Sequence, residues 1–257
     1  MNDQSIQYAL WVTIAANLSA AIRFVQSGLH RRYPVFTVFL IVQFISSALI
    51  QLYKPSSAGY FYVYVYTTPL IWILYVLIVR ELYSLVLRDY PGIYSMMRWS
   101  MYGVVALAVC ISLLSVVVTF RQAAGAHSKI SYYYLIERGI VFALVLFIVS
   151  MLWFLSRYPV RLSRNILIHC FLYSALFLCD AALLLVQSLT LMRYTAMLNL
   201  ALLTISAACF TGWAALFSKK GEGELVRVRH YQDSMDEDRL LSELNSINST
   251  LLRAARR

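Results

Sequence analysis

The sequence predicts an all-α polytopic membrane protein, a bundle of seven transmembrane helices with the N-terminus out and the C-terminus in. Three observations carry this expectation. Of the 257 residues, 61% are hydrophobic and only 13% charged, too few polar groups to clothe a water-facing surface. Apolar runs long enough for a membrane helix, which needs about 20 residues, recur along the whole chain. Basic residues gather on alternate connections between those runs. The runs lie near 6–27, 34–53, 60–83, 99–120, 131–156, 165–189 and 195–218. They make residues 1–218 the bundle and leave 219–257 as a cytoplasmic tail.

The first run is expected to be a retained helix. Residues 1–22 contain no Lys or Arg, so the basic start of a cleavable signal is missing. Ala15, Ala16, Ser19 and Ala20 form a small-residue patch suited to close helix contact, and Arg23 is expected to snorkel to the inner surface. The second run carries Gln43, Ser47 and Gln51. In the third, Tyr60, Tyr62, Tyr64 and Tyr66 alternate like a strand. An open strand in hydrocarbon leaves its backbone groups unpaired, so a helix is expected there. These tyrosines, with Tyr132, Tyr133 and Tyr134, read as interfacial aromatic belts. Pro69 is the proline inside a span, and Arg80 and Glu81 are expected to sit as a pair at the cytoplasmic end of this helix.

The orientation comes from the connections. Arg31 and Arg32 lie in the first, Arg88 and Arg98 at the third, and Arg157, Arg161 and Arg164 in the fifth; Lys219 and Lys220 open the tail. The opposite side has Lys54, then Arg121 and Lys129, then Arg193. The positive-inside rule therefore puts the C-terminus in the cytoplasm, with a bacterial inner membrane as the expected location. The net charge of +10 concentrates at helix ends. That points to orientation and to anionic lipids at the cytoplasmic face, not to nucleic acid. The four cysteines, Cys110, Cys170, Cys179 and Cys209, fall inside apolar runs without a CxxC pair, so they read as small buried hydrophobes.

The tail is expected to begin flexibly over 219–224 and to form a helix over about 234–256. Ser234 and Glu237 have capping-box spacing. Acidic residues at the start of that helix and arginines at its end complement the helix dipole. Leu240, Leu244, Ile247 and Leu251 recur at steps of four and three, a narrow apolar seam. Two heptads do not hold a dimer alone. The seam needs a partner protein, the membrane surface, or the chain's own bundle. Asn248-Ser249-Thr250 matches a glycosylation pattern but falls on the cytoplasmic side.

Ionisable groups inside hydrocarbon cost roughly 2.5–3.5 kcal/mol each on insertion scales, so each calls for a reason. Asp180 lies well inside the sixth run. His169, Tyr173, Asp180 and Gln187 are spaced four, seven and seven and share one helix face. Glu137 and Arg138 enter the fifth run, Thr195, Asn199 and Ser206 share a face of the seventh, and Tyr64, Thr68 and Tyr75 share one of the third. Asp180, Glu137, Arg138, Asn199, Thr68, Tyr173 and Gln187 are thus expected to form a polar layer, either a closed packing network or a pocket opening outward.

Familiar chemistries find no foothold. Residues 195–218 contain no Lys for a retinal Schiff base, and the last run lacks Asn-Pro-x-x-Tyr. The proline–glutamine pair of seven-helix sugar transporters is absent. No H-E-x-x-H, G-x-S-x-G or Gly-rich phosphate loop occurs. His169 is the one histidine in a run, so neither bis-His haem nor a zinc cluster is expected. No cofactor, metal or catalytic residue is assigned.

Arg31-Arg32-Tyr33-Pro34 before the second run, Leu135-Ile136-Glu137-Arg138 in the fifth, and the leucine-rich basic terminal helix resemble a group of uncharacterised bacterial seven-helix membrane proteins. The resemblance covers most of the chain and implies the topology, with no activity attached. The expected function is a non-enzymatic, sensor-like or accessory subunit acting through partners at its cytoplasmic face. The alternative is a small-solute transporter or permease using the polar layer around Asp180.

Overall fold

The computed structural model describes residues 3–53, 57–122, 130–157, 161–189, 194–227 and 234–255. Eight α-helices occur among them: α1 Asp3–Gln26, α2 Pro34–Gln51, α3 Ala58–Val86, α4 Pro91–Gln122, α5 Ile130–Arg157, α6 Arg164–Leu189, α7 Thr195–Leu216 and α8 Ser234–Ala255. Each expected run and the tail helix coincide with one of them. The tyrosine-rich start of α3 is helical, as the backbone argument requires.

Six of the helices, α1 to α4, α6 and α7, are long and apolar enough to cross a bilayer, and this makes the chain a multi-pass membrane protein. Among the described side chains of α5, Gly139–Leu155 is a shorter apolar stretch. The helix starts differ from hydropathy in one place. α4 begins at Pro91, about two turns before its apolar run, because a proline in the first turn has its φ preset and no N–H to leave unpaired. Those first turns carry Tyr94, Ser95 and Arg98, ahead of the expected start of the run.

The start of the tail departs from expectation. Residues 219–224, expected as a flexible lead, contain a local turn. Lys220–Glu222 form a 3-10 turn, and a short strand, β2 Leu225–Arg227, pairs antiparallel with β1 Arg161–Ser163. The Arg164 N–H donates to the Glu224 carbonyl at 2.9 Å. Three-residue strands show no period that a sequence window can detect, and this pairing joins segments more than sixty positions apart.

The chain divides into two compact units, Met1–Ile78 with Phe171–Lys220, and Val79–Cys170 with Gly221–Arg257. In the first unit α1 packs on α7 and α2. The buried face of α1 runs through Thr13, Ala16, Asn17, Ala20 and Phe24. Ala16 and Ala20 supply the close approach expected of small residues, while Ala15 and Ser19 face outward. The Thr13 hydroxyl lies within bonding distance of two carbonyls, Ala9 of its own helix at 2.8 Å and Leu203 of α7 at 3.0 Å. Gly28, with φ 73°, takes the left-handed turn after α1 that a side chain would resist.

Aromatic rings fill the core of this unit. Phe36 of α2 meets Phe24 at 5.0 Å and Trp213 at 4.9 Å between centroids. Tyr173 of α6 meets Trp213 at 4.8 Å and stacks on Phe177. Phe217 closes the cluster against Phe24 and Tyr33. Apolar burial offers little drive between helices in lipid, so dispersion between dense, well-fitted rings holds them. Such pairs add about 0.5–1.5 kcal/mol each beyond area burial in water.

In the second unit α4 packs on α5 and α8. The Tyr83 hydroxyl donates to the Phe147 carbonyl at 2.5 Å, and the two rings meet edge to face.

Candidate functional site

The polar residues expected to gather do not share one environment. Asp180 is 8% exposed, and among the described residues no hydrogen bond or ion pair reaches it. Thr68 is also buried. His169 and Tyr173 are fully buried, so the α6 stripe is turned away from the surface over His169, Tyr173 and Asp180. Tyr173 nevertheless belongs to the aromatic cluster by its ring contacts with Phe36, Phe177 and Trp213. Asn199 is exposed and Glu137 half-buried. The side chains of Arg138, Gln187, Thr195 and Tyr132 to Tyr134 lie outside the described residues, as do those of the capping pair Ser234 and Glu237.

Arg80 and Glu81 diverge. Consecutive helical residues point about 100° apart and do not face each other. Glu81 is buried, whereas Arg80 is exposed, with the Tyr94 and Tyr102 hydroxyls in its neighbourhood.

A second candidate lies where the tail returns to the helix ends of the second unit. β1 and β2 clip the start of α6 to the segment after α7. Arg164 pairs with Glu224 at 3.3 Å, both about half-exposed. Beside it, the fully buried Asn165 donates to Glu222 Oε1 at 3.0 Å. Ser163 caps α6, its Oγ accepting the Ile166 N–H at 3.4 Å.

α8 then docks on the first turn of α4. Leu244 is completely buried. Asn248 Oδ1 accepts the Gly92 N–H at 2.8 Å, satisfying one of the amides that a helix start leaves without an internal partner. A Cβ at position 92 would meet the Asn248 carbonyl at 2.5 Å and Leu252 Cγ at 3.1 Å, so the approach requires glycine. The asparagine of the glycosylation pattern is thus engaged within the chain. Of the rest of the seam, Leu240 and Leu251 are half-buried and Ile247 is 39% exposed. In the turn before α4, burial and the neighbouring Asp89 charge raise the Tyr90 hydroxyl above the usual tyrosine range, so it stays neutral.

No family model, no curated protein and no solved structure matches this chain. The functional reading therefore rests on its own residues. Among the described residues no group of three His, Cys, Asp or Glu side chains could hold a metal. Sequence reasoning missed three features: the aromatic cluster, the β1–β2 clip and the Gly92–Asn248 contact. Only the last left a trace, in the Pro91-Gly92 pair at a helix start.

Proposed function

We propose that the chain is a seven-span inner-membrane protein, N-terminus out and C-terminus in, that works without catalytic chemistry. In this reading it is a sensor-like or accessory subunit acting through partner proteins at its cytoplasmic face. The observation that carries the proposal is the docked tail. α8 buries Leu244, bonds α4 through Asn248 and keeps Ile247 at its surface. A helix held in place by one face offers the other as a preorganised surface, which lowers the ordering cost of binding. The arginine-rich connections support the orientation, and the absence of catalytic motifs supports the non-enzymatic role.

Native purification with mass spectrometry tests this, comparing the wild-type chain with Ile247→Glu. A stoichiometric partner lost in the variant is the expected result. Recovery as a lone monomer, with residues 234–257 removable without consequence in the cell, overturns it.

Asp180 favours a second reading, a small-solute transporter or permease. A buried carboxylate is costly in a membrane, and such groups commonly mark ion or substrate paths; among the described residues none bonds Asp180. α3 runs unbroken through Pro69, so the discontinuous helix found in many transporters gives no support in that span. Liposome flux that is lost on Asp180→Asn would establish this reading; unchanged flux would remove it.

A further inference from the structure

The facing ends of α3 and α4 hold a basic and aromatic cluster that neither reading uses. Tyr94, Arg98 and Tyr102 recur at four-residue steps, so they line one face of α4. From α3, the Arg80 guanidinium comes into the neighbourhood of the Tyr94 and Tyr102 hydroxyls. The Arg98 guanidinium carbon lies 5.8 Å from the Tyr94 ring centroid and 5.8 Å from that of Trp99. Tyr94 therefore has one cation in the neighbourhood of its hydroxyl and another over its ring. Among the described residues no carboxylate pairs with Arg80 or Arg98. Arg80 is exposed, and Trp99 is 68% exposed.

Depth narrows the counterion. α3 has 29 residues and α4 has 32, against the about 20 that cross hydrocarbon. At about 1.5 Å per residue, Arg80 lies about 9 Å from the end of α3 and Arg98 about 10 Å from the start of α4. The overhang of both helices sets these guanidiniums at one level, near the headgroups. Each guanidinium has five N–H donors in a fork that matches phosphate oxygens. An exposed indole such as Trp99 favours the same boundary between headgroup and acyl chain. A dissolved phosphate would answer the two charges but would leave Trp99 without a role.

We propose that Arg80 and Arg98, mounted on Tyr94, bind the phosphate of an anionic glycerophospholipid, with Trp99 against its glycerol and first acyl carbons. The site deepens the membrane-protein reading above and rests on α3 and α4 crossing the bilayer.

The test uses the full-length chain, taken from membranes that have been washed with alkaline carbonate. Chain released by the wash would refute the spanning reading, so only retained protein enters the assay. Retained phosphatidylglycerol is counted by native mass spectrometry in mild detergent, with phosphatidylcholine as the zwitterionic comparison. Quenching of Trp99 by bromine-labelled phosphatidylglycerol is read as the difference between the chain and its Trp99→Phe variant. The Arg80→Gln/Arg98→Gln variant is expected to lower phosphatidylglycerol retention about tenfold and to abolish the Trp99 quenching. Arg23→Gln, which removes an exposed charge elsewhere, should leave both unchanged. A fall below threefold in the double variant overturns the proposal. So does an equal fall in Arg23→Gln, equal retention of phosphatidylcholine, or displacement of the lipid by millimolar inorganic phosphate. Should the double variant fail to fold, Arg80→Lys and Arg98→Lys keep the charge but lose the fork. A retention equal to wild type in both lysine variants then counts against the site.

Discussion

Asn248 and Gly92 meet at 2.8 Å, side-chain oxygen to backbone amide, and this contact fixes the tail helix to the start of α4. The bond alone is worth about 1 kcal/mol. The absence of a side chain at position 92 matters more, because a methyl group there would overlap the Asn248 carbonyl. Gly92→Ala should therefore undock α8, at a cost of about 1–3 kcal/mol for forcing atoms into filled space. Asn248→Ala should loosen it less. Protease protection of residues 234–255 reads both; an α8 equally protected in Gly92→Ala would show that the packing is slack.

The clip between β1 and β2 contains two polar links of unequal weight. Arg164–Glu224 is about half-exposed, and exposed pairs contribute about 0–1 kcal/mol once solvent screening is counted. Asn165 is fully buried and bonds a carboxylate, a type of link worth roughly 1.5–3 kcal/mol. Asn165→Leu should lower the melting temperature in detergent clearly, and Glu224→Gln scarcely, with its small effect fading as salt rises. A larger loss from Glu224→Gln than from Asn165→Leu would reverse this ranking.

The aromatic cluster should behave as the core of the first unit. Trp213 is fully buried against Phe36, Tyr173 and Phe210. Trp213→Ala should cost about 3–5 kcal/mol through the cavity it leaves. Trp213→Phe, which keeps a ring, should cost much less. Thermal unfolding followed by tryptophan fluorescence distinguishes the two, and similar losses would mean that the rings are not closely fitted.

The orientation has a direct measurement. Green fluorescent protein fused after Arg257 should fluoresce, and alkaline phosphatase fused at the same place should be inactive, because the tail is expected in the cytoplasm. The reverse pattern would invert the topology and move the β1–β2 clip and α8 outside.

The polar layer shows where sequence reasoning stops. The spacing of His169, Tyr173 and Asp180 identifies one helix face, and all three side chains are buried. The partners of that face were not legible. Tyr173 reads as a polar residue in a one-dimensional list, but in the fold its ring stacks on Phe177 and packs against Trp213. Asn199 was grouped with the layer by its helical position and is exposed. The side chain of Arg138, the expected neighbour of Asp180, lies outside the described residues.

By itself the amino-acid order determined the place of the long helices, the helical tyrosine segment and the tail helix from Ser234. Those follow from local requirements: enough apolar length to cross hydrocarbon, and backbone groups that must bond within their own segment. The tertiary structure alone decided what each helix touches. Trp213 finding Phe36, Leu225–Arg227 finding Arg161–Ser163, and Asn248 finding Gly92 are meetings of residues distant along the chain. Close packing and short hydrogen bonds select such pairs by fit in three dimensions, and no periodicity along the chain records that fit.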